Sequence, residues 1–102
     1  MVARPFIKQI TEGIQFLHSK NIIHGDLKCA NILLDSNGCI KLADFGSSIE
    51  LSNPDESHKS STIKGTIPWI APEVIKESKT YLSSDIWSLG CTIIEMCVGG
   101  NP

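Results

Sequence analysis

Four polar side chains have the types and spacing to do chemistry together. The segment IIHGDLKCANILL, residues 22–34, puts Asp26, Lys28 and Asn31 in a polar loop between two apolar flanks. A carboxylate, an ammonium and an amide thereby converge at one edge of a sheet. Asp44 stands 13 positions after Asn31, directly after an apolar-alternating stretch, and opens the triplet Asp44, Phe45, Gly46. Phosphoryl transfer asks for an acid to receive a hydroxyl proton, a cation beside the moving phosphate, and oxygen ligands for magnesium. Taken singly, each residue has a plain structural alternative: Asp26 and Asp44 could start turns, and Asn31 could cap a strand. Their joint order favours the chemistry.

The elements that must position these residues are legible from periodicity. Phe6, Ile7, Ile10, Ile14 and Leu17 recur every three or four positions, the spacing of one helical face, and Pro5 suits the first turn. ILLD and CIKLAD flank Asp35, Asn37 and Gly38 and predict a hairpin that returns Asp44 toward the loop. Between Gly46 and Thr66 runs a Ser-rich stretch with Asn53, Pro54, Asp55, Glu56 and Lys59. It is too polar to bury and too long for an ordinary connector, so it reads as a functional or disordered loop. Pro72 opens a short helix to about Lys76, and Ser83 or Ser84 is the expected cap of a longer helix, about 84–98, that stops at Gly99, Gly100 and Pro102. That helix is apolar around its whole circumference, the pattern of a helix enclosed by protein. A chain of 102 residues has too little material to enclose it and cover a hairpin as well.

Composition narrows the function classes. The 102 residues, 41% hydrophobic and 20% charged, make at most one small domain. A net charge of -2 lacks the basic excess of a nucleic-acid binder, so no nucleic-acid partner is expected. The longest apolar stretch, Ile86 to Val98, spans 13 residues, short of the ~20 of a membrane helix. The start has no secretory pattern either, so the expected location is the cytoplasm, with no membrane partner. Cys29, Cys39, Cys91 and Cys97 match neither a zinc nor a redox spacing and read as reduced thiols, expected to be small buried residues. Arg4 is the single arginine.

Four motifs in order resemble the eukaryotic protein kinase family over essentially the whole chain: IIHGDLKCANILL, the DFG triplet at 44–46, GTIPWIAPEVI with its AlaProGlu triplet at 71–73, and DIWSLG at 85–90. The resemblance implies an α+β fold: a piece of the large, C-terminal lobe, mainly helical, with a small β-hairpin carrying the catalytic loop. It implies a partial kinase domain over 1–102, with a helix before the loop, the catalytic loop at 22–34, an activation segment at 44–73 and the long helix, while the small lobe and later helices are missing. It also implies ATP and Mg2+. Asp26 would accept or orient the substrate hydroxyl and Lys28 would steady the phosphoryl group and bind ATP. Asn31 and Asp44 would hold magnesium and ATP, and Leu33 would lie beneath the adenine. His24, Phe45, Gly46, Glu73 and Asp85 would support the site, Asp85 by bracing the loop backbone. Lys28 and Thr66, the latter adjacent to substrate, resemble the serine/threonine-specific branch, and GTIPWIAPEVI is similar to kinases at the top of mitogen-activated cascades. A protein substrate with a Ser or Thr acceptor follows.

Two departures qualify that expectation. Position 25 is Gly where the family commonly has the Arg that pairs with a phosphate on the activation segment, a charge-assisted bond of ~1.5–3 kcal/mol. Ser57, Ser60, Ser61 and Thr62 are candidate phosphosites, yet phosphorylation there is not expected to act as the usual switch. No Gly-Xaa-Gly phosphate loop occurs in the chain. It is therefore expected to be weakly active or inactive alone. The alternatives are a pseudokinase-like interaction module and a small-molecule phosphotransferase, which shares the HisGlyAsp run but lacks Lys28, AlaProGlu and DIWSLG.

Overall fold

The computed structural model describes residues 3–60 and 64–100; Ser61, Thr62 and Pro102 lie outside the described residues. The apolar steps noted near the start build helix α1 (Ala3–Ser19). Ile10, Ile14 and Leu17 on its inner stripe are buried with Leu27 and Leu89 in the main core. Each such side chain contributes roughly 1.5–3 kcal/mol on leaving water. Thr11, Glu12 and Gln15 on the other side are exposed.

The chain leaves α1 through Asn21, at a left-handed φ of 59°, into the short strand β1 (Ile22–Ile23). After a single helical turn at Cys29–Asn31, strands β2 (Ile32–Leu34) and β3 (Ile40–Leu42) form the expected antiparallel hairpin, with Leu33 opposite Lys41. Asp35 closes its turn by accepting the N–H groups of Asn37 (2.8 Å) and Cys39 (2.9 Å). The Cys39 bond holds the Asp35 carboxyl below its ordinary range.

The Ser-rich stretch is more ordered than an open loop. Strand β4 (Ile49–Glu50) pairs antiparallel with β1, Ile23 facing Ile49. Strand β5 (His58–Lys59) pairs with β6 (Lys79–Thr80), which follows helix α2 (Pro72–Glu77). Each of these strands is two residues long and shows no alternation of its own; the partner strand supplies the hydrogen bonds.

Helix α3 (Leu82–Val98) starts on Tyr81, so neither Ser83 nor Ser84 is its cap. Ser84 sits inside the first turn. From the third helical position its hydroxyl accepts the Tyr81 N–H (3.0 Å), as in a capping box, and donates to Glu73 (2.6 Å). The stop is as expected: Gly99, at φ 74°, donates its N–H to the Glu95 carbonyl at 2.8 Å. The sides of α3 are inverted relative to α1. Ser84, Asp85, Thr92 and Leu89 are buried, whereas Ile86, Trp87, Ile94 and Val98 are each at least half exposed. The enclosure expected of this helix is thus absent on one side among the described residues, and its polar stripe faces in.

Candidate active site

The loop after β1 has little regular structure, so side chains must hold its backbone. Asp85, 2% exposed, does so from α3. One carboxylate oxygen accepts the His24 N–H (2.7 Å) and lies 3.0 Å from His18 Nε2, and the other accepts the Gly25 N–H (3.1 Å). A buried carboxylate is tolerable only when satisfied in this way. His24, fully buried, works from within the loop: Nδ1 accepts the Asp26 N–H (3.1 Å) and Nε2 donates to the Ala43 carbonyl (2.8 Å). A neutral ring with its proton on Nε2 satisfies both bonds. Phe45 meets the same ring edge-on, centroids 5.0 Å apart.

This framework brings Asp26, Lys28 and Thr66 together across 40 residues of chain. Lys28 Nζ donates to Thr66 Oγ1 at 2.7 Å, and Thr66 Oγ1 donates to Asp26 Oδ1 at 2.9 Å. Asn31 is buried on the other side of the loop, where its Nδ2 donates to the Asp26 carbonyl at 2.6 Å and leaves Oδ1 as its unspent acceptor. Its own carbonyl accepts the Ala43 N–H at 2.8 Å, which sets the register bringing Asp44 past this edge. Asp44 adopts a left-handed backbone, φ 55° and ψ 70°, and its carboxylate is exposed without a hydrogen bond among the described residues. Such a conformation costs a non-glycine residue about 1–3 kcal/mol and persists where the surroundings demand it.

The remaining expected residues lie further out. Gly46 is exposed in the single turn Phe45–Ser47, and Leu33 on the hairpin is 54% exposed. Glu73 accepts the Ser84 hydroxyl, a partner the sequence reading did not name. Ser57 and Ser60 flank β5, with the Ser60 N–H donated to the Ser78 carbonyl (3.1 Å).

The protein kinase domain family matches residues 1–102. The chain belongs to that family. Among its relatives is the serine/threonine-protein kinase STE11 of Saccharomyces cerevisiae, 47% identical over 98 residues, an overlap of 95% of this chain and 14% of the relative. Mitogen-activated protein kinase kinase kinase 1 of Arabidopsis thaliana is 51% identical over 100 residues, 95% of this chain and 16% of the relative. Mitogen-activated protein kinase kinase kinase A of Dictyostelium discoideum is 50% identical over 101 residues, 99% of this chain and 10% of the relative. The chain thus spans between 10% and 16% of the length of these three. Its mixture of helix and short strand is that of a protein kinase domain fragment.

Within the kinase fold, one positioning residue escaped the sequence reading. Glu95 Oε1 accepts both the Cys29 N–H (2.9 Å) and the Trp69 Nε1–H (3.1 Å), tying the loop and the Ile67–Trp69 turn to α3. Ser88 and Thr92 extend the same stripe, Ser88 donating to the Trp69 carbonyl (2.6 Å). The signal was present: Ser84, Ser88, Thr92 and Glu95 recur at steps of three and four in an otherwise apolar helix. Burial, followed by the nearby Glu95 carboxylate, pushes the Cys29 thiol up to about 11.

Proposed function

We propose that this chain is the catalytic centre of a protein serine/threonine kinase, drawn from the large lobe, that transfers the γ-phosphate of ATP to Ser or Thr hydroxyls of a protein in a signalling cascade. The observation that carries the proposal is the Lys28–Thr66–Asp26 bridge, which holds a carboxylate, an ammonium and a hydroxyl within hydrogen-bond reach. Asp26 aligns the substrate hydroxyl and takes its proton as the oxygen bonds the γ-phosphorus and the bond to the β–γ bridging oxygen breaks, releasing ADP. Lys28 offsets negative charge on the moving phosphoryl group. Asn31 Oδ1 and the Asp44 carboxylate are hard oxygen donors of the kind Mg2+ prefers, and the unspent state of both fits that ion. Bound there, Mg2+ would neutralise charge on the ATP phosphates. His24 and Asp85 position the loop, and Leu33 offers an apolar surface to the adenine.

Residues 22–34 and 44–73 are read as the catalytic loop and activation segment. With no Gly-Xaa-Gly loop among the 102 residues, we expect the chain to transfer phosphate weakly or not at all without the remainder of a kinase domain. The names of two of these relatives place them in mitogen-activated cascades, which supports the same setting here; the cytoplasm is part of the proposal. No helix among the described residues is long and apolar enough to cross a membrane. The test is Asp26→Asn in the full-length kinase. It should lower kcat by about 10²–10⁴-fold while nucleotide binding persists. Turnover at the wild-type rate by that variant would remove Asp26 from the mechanism.

A further inference from the structure

Gly25 and Gly65 are both in left-handed backbone conformations, φ 89° and 104°, and they touch. A Cβ on Gly65 would stand 2.9 Å from the Gly25 carbonyl oxygen, closer than side chains approach backbone. A Cβ on Gly25 would run into the carbonyl oxygen of Ser47. The Gly25 N–H is held by Asp85 at 3.1 Å. Gly25 is thus gripped at its amide, its Cα and its carbonyl by three different parts of the chain. The next residue on each side completes a rung, because Asp26 and Thr66 are joined by the 2.9 Å hydrogen bond. Position 25 is therefore more than a site from which an arginine is missing: any side chain would push Ser47 or the loop aside.

We propose that Gly25 and Gly65 form a backbone clasp that seats residues 64–66 on the loop and so positions Thr66 against Asp26 and Lys28 with no phosphate taking part. This rests on the kinase reading above, and it makes both glycines positioning residues. Three glycine-to-alanine variants of the full-length kinase test it. Gly38 is also left-handed, φ 81°, but a Cβ there meets nothing within 4 Å, so Gly38→Ala reports backbone strain without the clash. Gly25→Ala and Gly65→Ala should lower kcat by about 100-fold, the cost of misplacing groups by about 1 Å, with the ATP KM unchanged. Gly38→Ala should keep its kcat. Gly25→Asn should fail to rescue, because Asn tolerates the left-handed backbone but still carries a Cβ. Full kcat in Gly25→Ala overturns the proposal.

Of two further readouts, the first needs no variant and the second needs no kinase activity. Phosphatase treatment of the wild-type enzyme should leave its activity intact, and a large loss would mean that a phosphate seats the segment. Amide exchange at Trp69, whose N–H is donated to the Thr66 carbonyl at 2.9 Å, should quicken in Gly25→Ala and Gly65→Ala but not in Gly38→Ala. Equal exchange in all three overturns the clasp whether or not the protein phosphorylates anything.

Discussion

Helices α1 and α3 have the same length, 17 residues each, yet they do opposite work. α1 buries an apolar stripe and exposes polar residues, as a helix that contributes mainly core would. α3 turns Asp85, Ser88, Thr92 and Glu95 toward irregular chain and Ser84 toward α2, and leaves Ile86, Trp87, Ile94 and Val98 outside. The irregular loops have backbone groups that no strand or helix partner satisfies, and α3 supplies the acceptors and donors. α1 therefore gives mainly core, while α3 gives Leu89 to that core and its polar stripe to the loops.

The sharpest way to break this comparison is to remove one inward group from each helix. Asp85→Ala leaves the His24 and Gly25 N–H groups and His18 facing an apolar hole. It should destabilise by about 3–5 kcal/mol, and turnover of the remaining folded enzyme should collapse. Ile14→Ala should cost a comparable or smaller amount, about 2–5 kcal/mol, but leave kcat per folded molecule unchanged. Denaturant melts paired with active-site titration measure both. Equal kcat losses in the two variants would erase the distinction.

Glu95 comes next. Its single oxygen serves two donors, so Glu95→Leu should cost about 1–3 kcal/mol through the unpaired Cys29 and Trp69 groups. Glu95→Gln, which keeps an acceptor oxygen, should recover most of that in the same melts. A Gln variant no better than Leu would mean that the charge, and not the two hydrogen bonds, matters.

Helical spacing on α1 and the turn residues of the β2–β3 hairpin were legible because both signals are local: one face repeats every three or four residues, and Asp35 bonds only two and four positions on. The polar residues of the site were legible as types in order, although their contacts were not. Thr66 reaches Asp26 from 40 positions away, and nothing in the intervening Ser-rich stretch signals the crossing. β4 and β5 stayed hidden for the same reason, since a two-residue strand exists only through its distant partner. Tyr81 is the α3 cap, and Ser84 serves it from three positions on by accepting the Tyr81 N–H, a role that the serine's place in the sequence did not separate from capping itself. The Gly25–Gly65 contact was not legible, as a glycine in sequence does not say which backbone will approach it.

The smallest effect separates the two sides of α3 by reactivity. Against the expectation of buried thiols, Cys39 and Cys97 are exposed and Cys29 and Cys91 half-buried; Cys29 packs against the inward stripe, its Sγ–H donated to the Thr92 carbonyl at 3.9 Å, whereas Cys97 lies on the outside of α3. With its thiol pushed up to about 11, Cys29 is roughly one part in a thousand thiolate at pH 8, and alkylation should pass it by while Cys97 reacts. A pH series should show its rate still climbing towards pH 11. Desolvation is the larger cause and Glu95 the smaller, so Glu95→Leu should move the Cys29 midpoint down only part of the way. An unmoved midpoint would mean that burial alone raises the thiol, and that the Glu95 carboxylate acts on the loop only through the Cys29 N–H.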